Sequence, residues 1–368
     1  MPRSSHPGFP GPFDERATAS GGRQPGGLAI DAADGDPAED TIDVEEAEDD
    51  PLAGESEVPS LAGEIPWQDE PGEKIVIVFA GGKGGTGRSL LAANLGVFLS
   101  RLGREVVVAD LDPAGTNLHT YLGLEPILPT PGAMLRPAGP PRVERLAGMS
   151  LRLCRPARAT EPGDDDLRAD TLAMAQSLVA DVLIMDLGVL ADPLTLDAYL
   201  QAHASVLAMV PEPAGVERAY GFLRAALFRR ILHGDDDPAV VARAVLAADH
   251  VGQLSSPAHL VAALSGAHAD AAEAIRARVL AFSPQILLNK CRTRGDVEML
   301  DGVVSALRRR WGINAEALGA IEYDDAAWTS TRTRRPFMSE YPGSNLAQGI
   351  ERMARRLLAA ALRRETRL

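Results

Sequence analysis

Residues 75–94, IVIVFAGGKGGTGRSLLAAN, constrain the fold more than any other stretch of the chain. Ile75 to Phe79 is a run of β-branched and aromatic residues, the composition of a buried strand. A loop with five glycines follows at once, at positions 81, 82, 84, 85 and 87. From Ser89 to Arg101 the apolar residues Leu90, Leu91, Leu95, Phe98 and Leu99 fall on one face of a helix. A strand, a glycine loop and a helix start, in that order, form a cradle for phosphate. Backbone N–H groups point inward, glycine lets the backbone come close, and the helix N-terminus adds partial positive charge.

Two patterns compete for the loop. Gly82, Gly84 and Gly87 satisfy G-x-G-x-x-G, and Asp110, 23 residues after Gly87, lies where a ribose-binding acid would sit. Gly82 and Gly87 also satisfy the mononucleotide pattern G-x-x-x-x-G-K-[ST], with Arg88 in the lysine slot and Ser89 as the hydroxyl on the magnesium side. A dinucleotide site has no need of Ser89 after a basic residue, nor of Lys83 within the loop. The mononucleotide reading is therefore preferred. It makes Gly82, Lys83, Gly84, Gly85, Thr86, Gly87, Arg88 and Ser89 the nucleotide-binding loop. The dinucleotide reading stands only if Ser89 and Asp186 lie away from it.

Later strands bring acids to the same crevice. Glu105 to Ala109 reads as a strand ending in Asp110-Leu111-Asp112, and Asp181 to Asp186, DVLIMD, as another. Acids at the C-terminal ends of parallel strands stand beside the ligand crevice of an α/β sheet. Ser205 to Val210 and Gln285 to Leu288 read as further strands, the second running into Asn289-Lys290. A short strand is expected at Leu151 to Cys154, a helix near Asp165 to Leu178, and a Pro-rich surface loop over 125–145. Strands alternating with helices predict an α/β fold with a mostly parallel central sheet and helices on both faces.

GGKGGTGRS resembles the deviant Walker A loop of the MinD/ParA superfamily of P-loop ATPases. By that resemblance Lys83 is the early lysine that reaches across a nucleotide-sandwich dimer to the partner's phosphates. VVVADLDPAGTNLHTYLG resembles the second motif of the family, which implies that Asp112 orients the attacking water and that Asp110 stands near magnesium. Asp186 takes the Walker B position and, with Ser89, is implied in holding the same ion. Asn289 resembles an adenine-contacting asparagine. PEPAGVERAYGFLRAALFRR is similar to the PEPTS-x-x-NAY stretch of FlhG-like members and implies a place for Glu212 near the partner's nucleotide. LGAIEYDDAAWTSTRTRRPF resembles the closing loop that packs on the base, with Asp324 or Asp325 in its acid position.

The resemblance implies ATP and Mg2+ as cofactors and an ATP-dependent homodimer. It implies slow ATP hydrolysis driving a switch that positions or partitions a cargo such as a chromosome, a flagellum or polar machinery. Two departures stand out. The residues after Asp186 differ from the family's usual pattern, though Gly188 keeps the flexible position. Arg88 replaces the P-loop lysine. It keeps the charge and can fork onto phosphate oxygens, but it is bulkier. The alternative reading is therefore a nucleotide-binding scaffold that does not hydrolyse.

Among 37 basic side chains only three are lysines, Lys74, Lys83 and Lys290, and the last two lie in nucleotide-site motifs. The net charge of −14 is unevenly placed: residues 1–73 hold 19 acids against three arginines, and the rest hold 32 acids against 34 bases. Near-neutrality beyond residue 73 argues against strong non-specific DNA binding, and a specific nucleic-acid partner is not expected either. Residues 1–72, rich in Gly, Pro and acids, are expected to be a disordered tail ahead of an ATPase domain spanning 73–368. Within that domain, residues 233–280 are Ala-rich and read as a helical insertion. The insertion and the tail are the candidate surfaces for a protein partner. Four histidines in the insertion show no metal-ligand spacing.

Cys154 and Cys291 are too few for a disulfide scaffold or a metal cluster, which fits a reducing cytoplasm and sets the iron–sulfur carriers of the superfamily aside. No apolar run reaches membrane-spanning length. The last helix, Asn345 to Arg364, carries an apolar stripe among arginines. Peripheral contact with the inner membrane face through it is the lesser expectation, and packing on the core the greater.

Overall fold

The computed structural model describes residues 74–113, 117–127, 139–158, 164–232, 261, 265 and 269–365. The acidic tail, much of the Pro-rich segment and most of the expected insertion lie outside the described residues. Eight strands form one sheet: β1 Ile75–Ala80, β2 Val106–Asp110, β3 Arg142–Arg145, β4 Leu151–Arg155, β5 Val182–Asp186, β6 Ala204–Met209, β7 Gln285–Cys291 and β8 Glu316–Glu322. Their order is β3-β4-β2-β5-β1-β6-β7-β8. Every neighbouring pair is parallel except β3 with β4.

The helices that flank the sheet are α1 Arg88–Arg101, α2 Leu118–Tyr121, α3 Asp165–Ser177, α4 Pro193–Gln201, α5 Pro213–Leu232, α6 Ala269–Leu280, α7 Arg294–Trp311, α8 Ala326–Thr333, α9 Phe337–Glu340 and α10 Asn345–Glu365. The central strands are buried on both faces, so they read as continuous apolar runs rather than alternating ones. Side-chain alternation still divides them. Ile75, Ile77 and Phe79 join the core beneath α1 and α10, while Val78 and Ala80 join the core beneath α3, α4, α5, α6 and α7. The expected mostly parallel sheet with helices on both faces is what the chain forms.

Helix ends follow local chemistry. Gly87, at φ 86°, starts α1, and Asp192 caps α4 by accepting from the Thr195 N–H. Thr293 and Asp296 form a capping box at α7, which Gly312 ends in the left-handed region. On α10 Leu346, Ile350, Met353, Leu357 and Leu358 are all buried, so this stripe packs on the core. Among the described residues no helix is long and apolar enough to cross a membrane.

Two segments differ from expectation. The stretch read as loop over 125–145 ends in β3, a largely exposed edge strand paired antiparallel with β4. The closing segment Leu318 to Phe337 contains the end of β8 and all of α8 rather than a single loop. Of the insertion over 233–280, α6 is described, and it packs on α5. Arg230 donates to the Arg278 carbonyl at 3.0 Å, and Arg278 donates to the Ile231 carbonyl at 3.0 Å.

Candidate functional site

The sheet ends where three strands deliver their polar residues together. In the β2–β5 ladder Asp110 is the register partner of Asp186, and in the β1–β5 ladder Phe79 is the partner of the same Asp186. The pairing continues one step past the strands. Leu111 N–H donates to Asp186 O at 2.9 Å and Leu187 N–H donates to Phe79 O at 2.9 Å. The glycine loop after β1, the Asp110–Asp112 turn after β2 and the loop after Asp186 therefore leave the sheet side by side.

The loop's shape depends on glycine at particular points. A Cβ on Gly82 would lie 2.1 Å from the backbone carbon of Arg218, because α5 crosses directly against the loop. A Cβ on Gly87, already at φ +86°, would meet Asn289 Nδ2 at 2.3 Å. Gly84 faces open space, with nothing within 4 Å of its Cβ position. Asn289 Nδ2 donates to the Thr86 carbonyl at 2.7 Å. That bond fastens the loop to the end of β7.

Arg88 opens α1 with its side chain 5% exposed, and Nη2 lies 3.2 Å from Asp112 Oδ2. Its Nε and Nη1 are buried without an acceptor, and Thr86 Oγ1 is buried without a partner. Gly188, at φ +79°, presses on the same acid: a Cβ there would lie 2.5 Å from Asp112 Oδ1. Asp112 is thus gripped between a guanidinium and the backbone after β5. Ser89 follows Arg88 in α1 and is half-buried.

Asp110 is buried. Its Oδ2 accepts the Leu118 N–H at 3.0 Å, while Oδ1 has no donor. Burial, then the charge of Asp186, push its carboxyl well above the usual range. Asp186 Oδ1 takes the Gly188 N–H at 3.4 Å. Two adjacent acids, one carrying an unpartnered oxygen, suit a divalent cation. Among the described residues no group of three or more His, Cys, Asp or Glu could hold a metal ion alone. Magnesium at a phosphate site needs only one or two carboxylates, because water and phosphate oxygens complete its shell. Asp110 and Asp186, register partners at the ends of β2 and β5, supply that number.

At the mouth of the loop, Lys83 Nζ lies 2.7 Å from Glu212 Oε2 within the same chain. The hydrogen bond and charge of Lys83, with the charge of Lys290, hold the Glu212 carboxyl below its usual value. Lys290 has φ +63°, uncommon for a side-chain-bearing residue. Beyond β8, Arg292 stacks on the ring of Tyr323 at 3.8 Å and Arg332 on that of Trp328 at 4.6 Å. Asp324 Oδ1 accepts the Ala326 N–H at 2.8 Å, ahead of α8.

Sequence reasoning missed Tyr121 and Arg168. Burial, then the charge of Asp186, raise the Tyr121 phenol, and the charge of Arg88 opposes them. Arg168, 1% exposed, donates through Nε to the Leu111 carbonyl at 3.1 Å. Tyr121 lies inside the segment VVVADLDPAGTNLHTYLG with no role assigned to it there, and Arg168 lies outside every motif. Arg168 follows the first residue of the buried series Leu167, Thr171, Ala175, a position indistinguishable by spacing from any flank of a helical stripe.

The chain matches the family model of the CobQ/CobB/MinD/ParA nucleotide binding domain over residues 77–337. It is 49% identical over 51 residues to an uncharacterized ATP-binding protein of Methanocaldococcus jannaschii, covering 14% of this chain and 19% of that one. To the septum site-determining protein MinD of Synechocystis it is 50% identical over 50 residues, 14% of this chain and 19% of the other. To an iron–sulfur cluster carrier protein of Aquifex aeolicus it is 47% identical over 55 residues, 15% of each. The chain thus spans less than a fifth of the length of these curated relatives. The MinC:MinD cell division protein complex of Aquifex aeolicus superposes with TM-score 0.49 at 19% identity, covering 77% of this chain and 96% of that chain.

The likeness to the iron–sulfur carrier does not extend to a cluster site within one chain. Cys154 and Cys291 are buried on β4 and β7, and burial pushes each thiol up to about 12. Five strand spacings separate them in the sheet order, roughly 24 Å.

Proposed function

Because the chain belongs to the CobQ/CobB/MinD/ParA nucleotide-binding family, we propose that it is an ATP-dependent switch: it binds ATP with Mg2+, pairs with a second copy of itself, and releases that copy after slow hydrolysis. The observation that supports this most is the gathering of polar groups where β1, β2 and β5 leave the sheet. Thr86 Oγ1, Arg88 Nε and Nη1, and Asp110 Oδ1 are buried there without partners. Buried polar groups are nearly always satisfied, so such a cluster suits a charged ligand with many oxygens.

In this reading the loop amides from Gly82 to Gly87 and the Arg88 guanidinium take the phosphates. Asp110, Asp186 and Ser89 hold Mg2+, which when bound neutralises charge on the phosphate oxygens. Asp112 orients the attacking water once it is free of Arg88. Lys83 leaves Glu212 to reach the partner's phosphates. Only the contacts to the terminal phosphate need differ between the ATP and ADP states for the dimer to form and part. The cargo belongs to the class that such switches position or partition. Its adaptor is a protein docking on residues 233–280 or on the acidic tail, and the switch acts in the cytoplasm, with any membrane contact peripheral.

One observation favours a second reading. With Asp112 tied to Arg88, the chain can bind nucleotide and dimerise as a scaffold without turnover. Light scattering of the purified protein in ATP and in ADP, beside phosphate release by wild type and Asp112→Ala, separates the two. A dimer in ATP with slow release that Asp112→Ala abolishes supports the switch. A dimer without release supports the scaffold. Failure to bind either nucleotide would sink both.

A further inference from the structure

We infer that Arg168 is a positioning residue that sets the Asp110-Leu111-Asp112 turn against the loop after Asp186. The inference rests on the nucleotide site proposed above. Arg168 lies in α3, outside every motif of the loop. It is 1% exposed, and all three of its nitrogens are committed. Nε donates to Leu111 O at 3.1 Å, Nη2 to Thr195 Oγ1 at 2.6 Å and Nη1 to Asp165 Oδ1 at 3.1 Å, with Nη1 also 3.2 Å from Asp192 Oδ2.

The Leu111 contact matters because of what Leu111 joins. It is the residue between Asp110 and Asp112. Its N–H is already held by Asp186 O at 2.9 Å. With the carbonyl fixed by Arg168, the peptide groups on both sides of Leu111 are pinned, and the directions of both acids follow. The other end of the guanidinium holds the start of α4. There Asp192 accepts from Thr195 N at 3.0 Å and from Thr195 Oγ1 at 2.8 Å. Between Asp186 and Asp192 runs the loop whose Gly188 touches Asp112. One planar cation therefore ties together the downstream ends of both acid-bearing strands.

A buried ion pair is poor evidence of stabilisation, since an apolar residue of similar volume often serves as well. What an apolar residue cannot supply is a donor to Leu111 O. Lysine has a point charge and cannot span three directions at once. The chemistry of the side chain thus matches a positioning task better than the cementing of α3 to α4, and the two make different predictions.

The test uses the full chain as wild type, Arg168→Met, Arg168→Lys and the control Asp165→Asn, whose acid touches Arg168 but not Leu111. Three quantities are read: fluorescent ADP affinity with and without Mg2+, phosphate release per bound nucleotide, and amide exchange over residues 108–113 without nucleotide. For Arg168→Met the tightening of ADP by Mg2+ is expected to fall by about tenfold, the scale seen when a partner of a metal ligand is removed. Metal-free affinity stays near wild type, exchange over 108–113 rises, and Asp165→Asn matches wild type throughout. Wild-type Mg2+ dependence and exchange in Arg168→Met overturn the inference, whatever the melting temperature does. If Arg168→Met does not fold, Arg168→Lys carries the same reading, since it can pair the acids but not also hold Leu111. If wild type binds but does not hydrolyse, the Mg2+ and exchange readings decide alone. If wild type binds no nucleotide, the site itself is overturned and the inference with it, an outcome distinct from variants that match a binding wild type.

Discussion

Arg88 holds Asp112: Nη2 lies 3.2 Å from Oδ2, and the side chains are 5% and 10% exposed. The base in the phosphate-lysine slot and the acid proposed to orient water neutralise one another in a buried space. For Asp112 to act, the pair must part. Arg88→Lys substitutes a compact charge that reaches phosphate without a planar fork. Phosphate release is expected to rise about tenfold, a change of about 1.4 kcal/mol in the barrier, with ATP affinity retained. Arg88→Met leaves Asp112 buried without its cation and is expected to cost roughly 3–5 kcal/mol of stability, visible in a thermal melt. An Arg88→Lys protein that binds ATP and turns over no faster than wild type would show that the pair is not the brake.

The glycines of the loop divide into two classes that substitution can separate. A Cβ at Gly82 or Gly87 collides with the backbone of α5 or with Asn289. Gly82→Ala is therefore expected to lower the melting temperature sharply, because backbone cannot yield as a flexible side chain can. At Gly84 a Cβ meets nothing within 4 Å. Gly84→Ala is expected to change stability by no more than about 0.5 kcal/mol. It nevertheless places a methyl where the loop must approach phosphate, so ATP affinity falls. Equal losses of stability in Gly84→Ala and Gly82→Ala would contradict this division.

The fold was legible because its central strands are unbroken apolar runs, β2 and β5 of them ending in acids, and because glycine, strand and helix follow one another within twenty residues. β3 escaped because Arg142, Val143, Glu144 and Arg145 form a polar, exposed edge with no buried face to leave an alternating pattern. The segment after Leu318 reads as loop through its resemblance to the family's closing loop, a likeness that marks neither the end of β8 nor α8. At the site, the spacing named the loop and the acids but not their partners. Arg88 to Asp112, Lys83 to Glu212 and Arg168 to Leu111 join residues 24, 129 and 57 positions apart. Such pairings are set by how the elements dock and leave no trace in local sequence.

Asp192 offers a pH test away from the phosphate cradle. Burial raises its carboxyl, but the bonds from Thr195 N–H and Oγ1 and the charge of Arg168 outweigh it, leaving the group below the usual 3.8. A depressed folded value means the stabilisation is complete above the unfolded value and is lost as pH falls through the folded one. Asp192→Ala removes both the cap and a counter-charge of Arg168. It is expected to lower stability by about 1–2 kcal/mol at neutral pH. The difference from wild type narrows once the pH drops below about 4. Denaturant melts at several pH values check this, and a gap that stays constant down to the acid limit would mean the charge of Asp192 contributes nothing.

The last prediction concerns Lys83, whose proposed target lies on another subunit. In this chain its Nζ is 2.7 Å from Glu212 Oε2, with the side chains 42% and 58% exposed. An exposed pair of that kind contributes little to folding and is screened by salt. It does compete with any other use of the lysine, because an ammonium held by a carboxylate must give it up before reaching a phosphate. Glu212→Gln is expected to melt with wild type. The protein concentration at which ATP produces half dimer should fall by about threefold, as a competing state loses its differential stabilisation. Lys83→Met should keep its fold and bind nucleotide as a monomer. Sedimentation or light scattering across a concentration series reads all three proteins. If Glu212→Gln instead dimerises less readily than wild type, the carboxylate works across the dimer rather than as a restraint on Lys83.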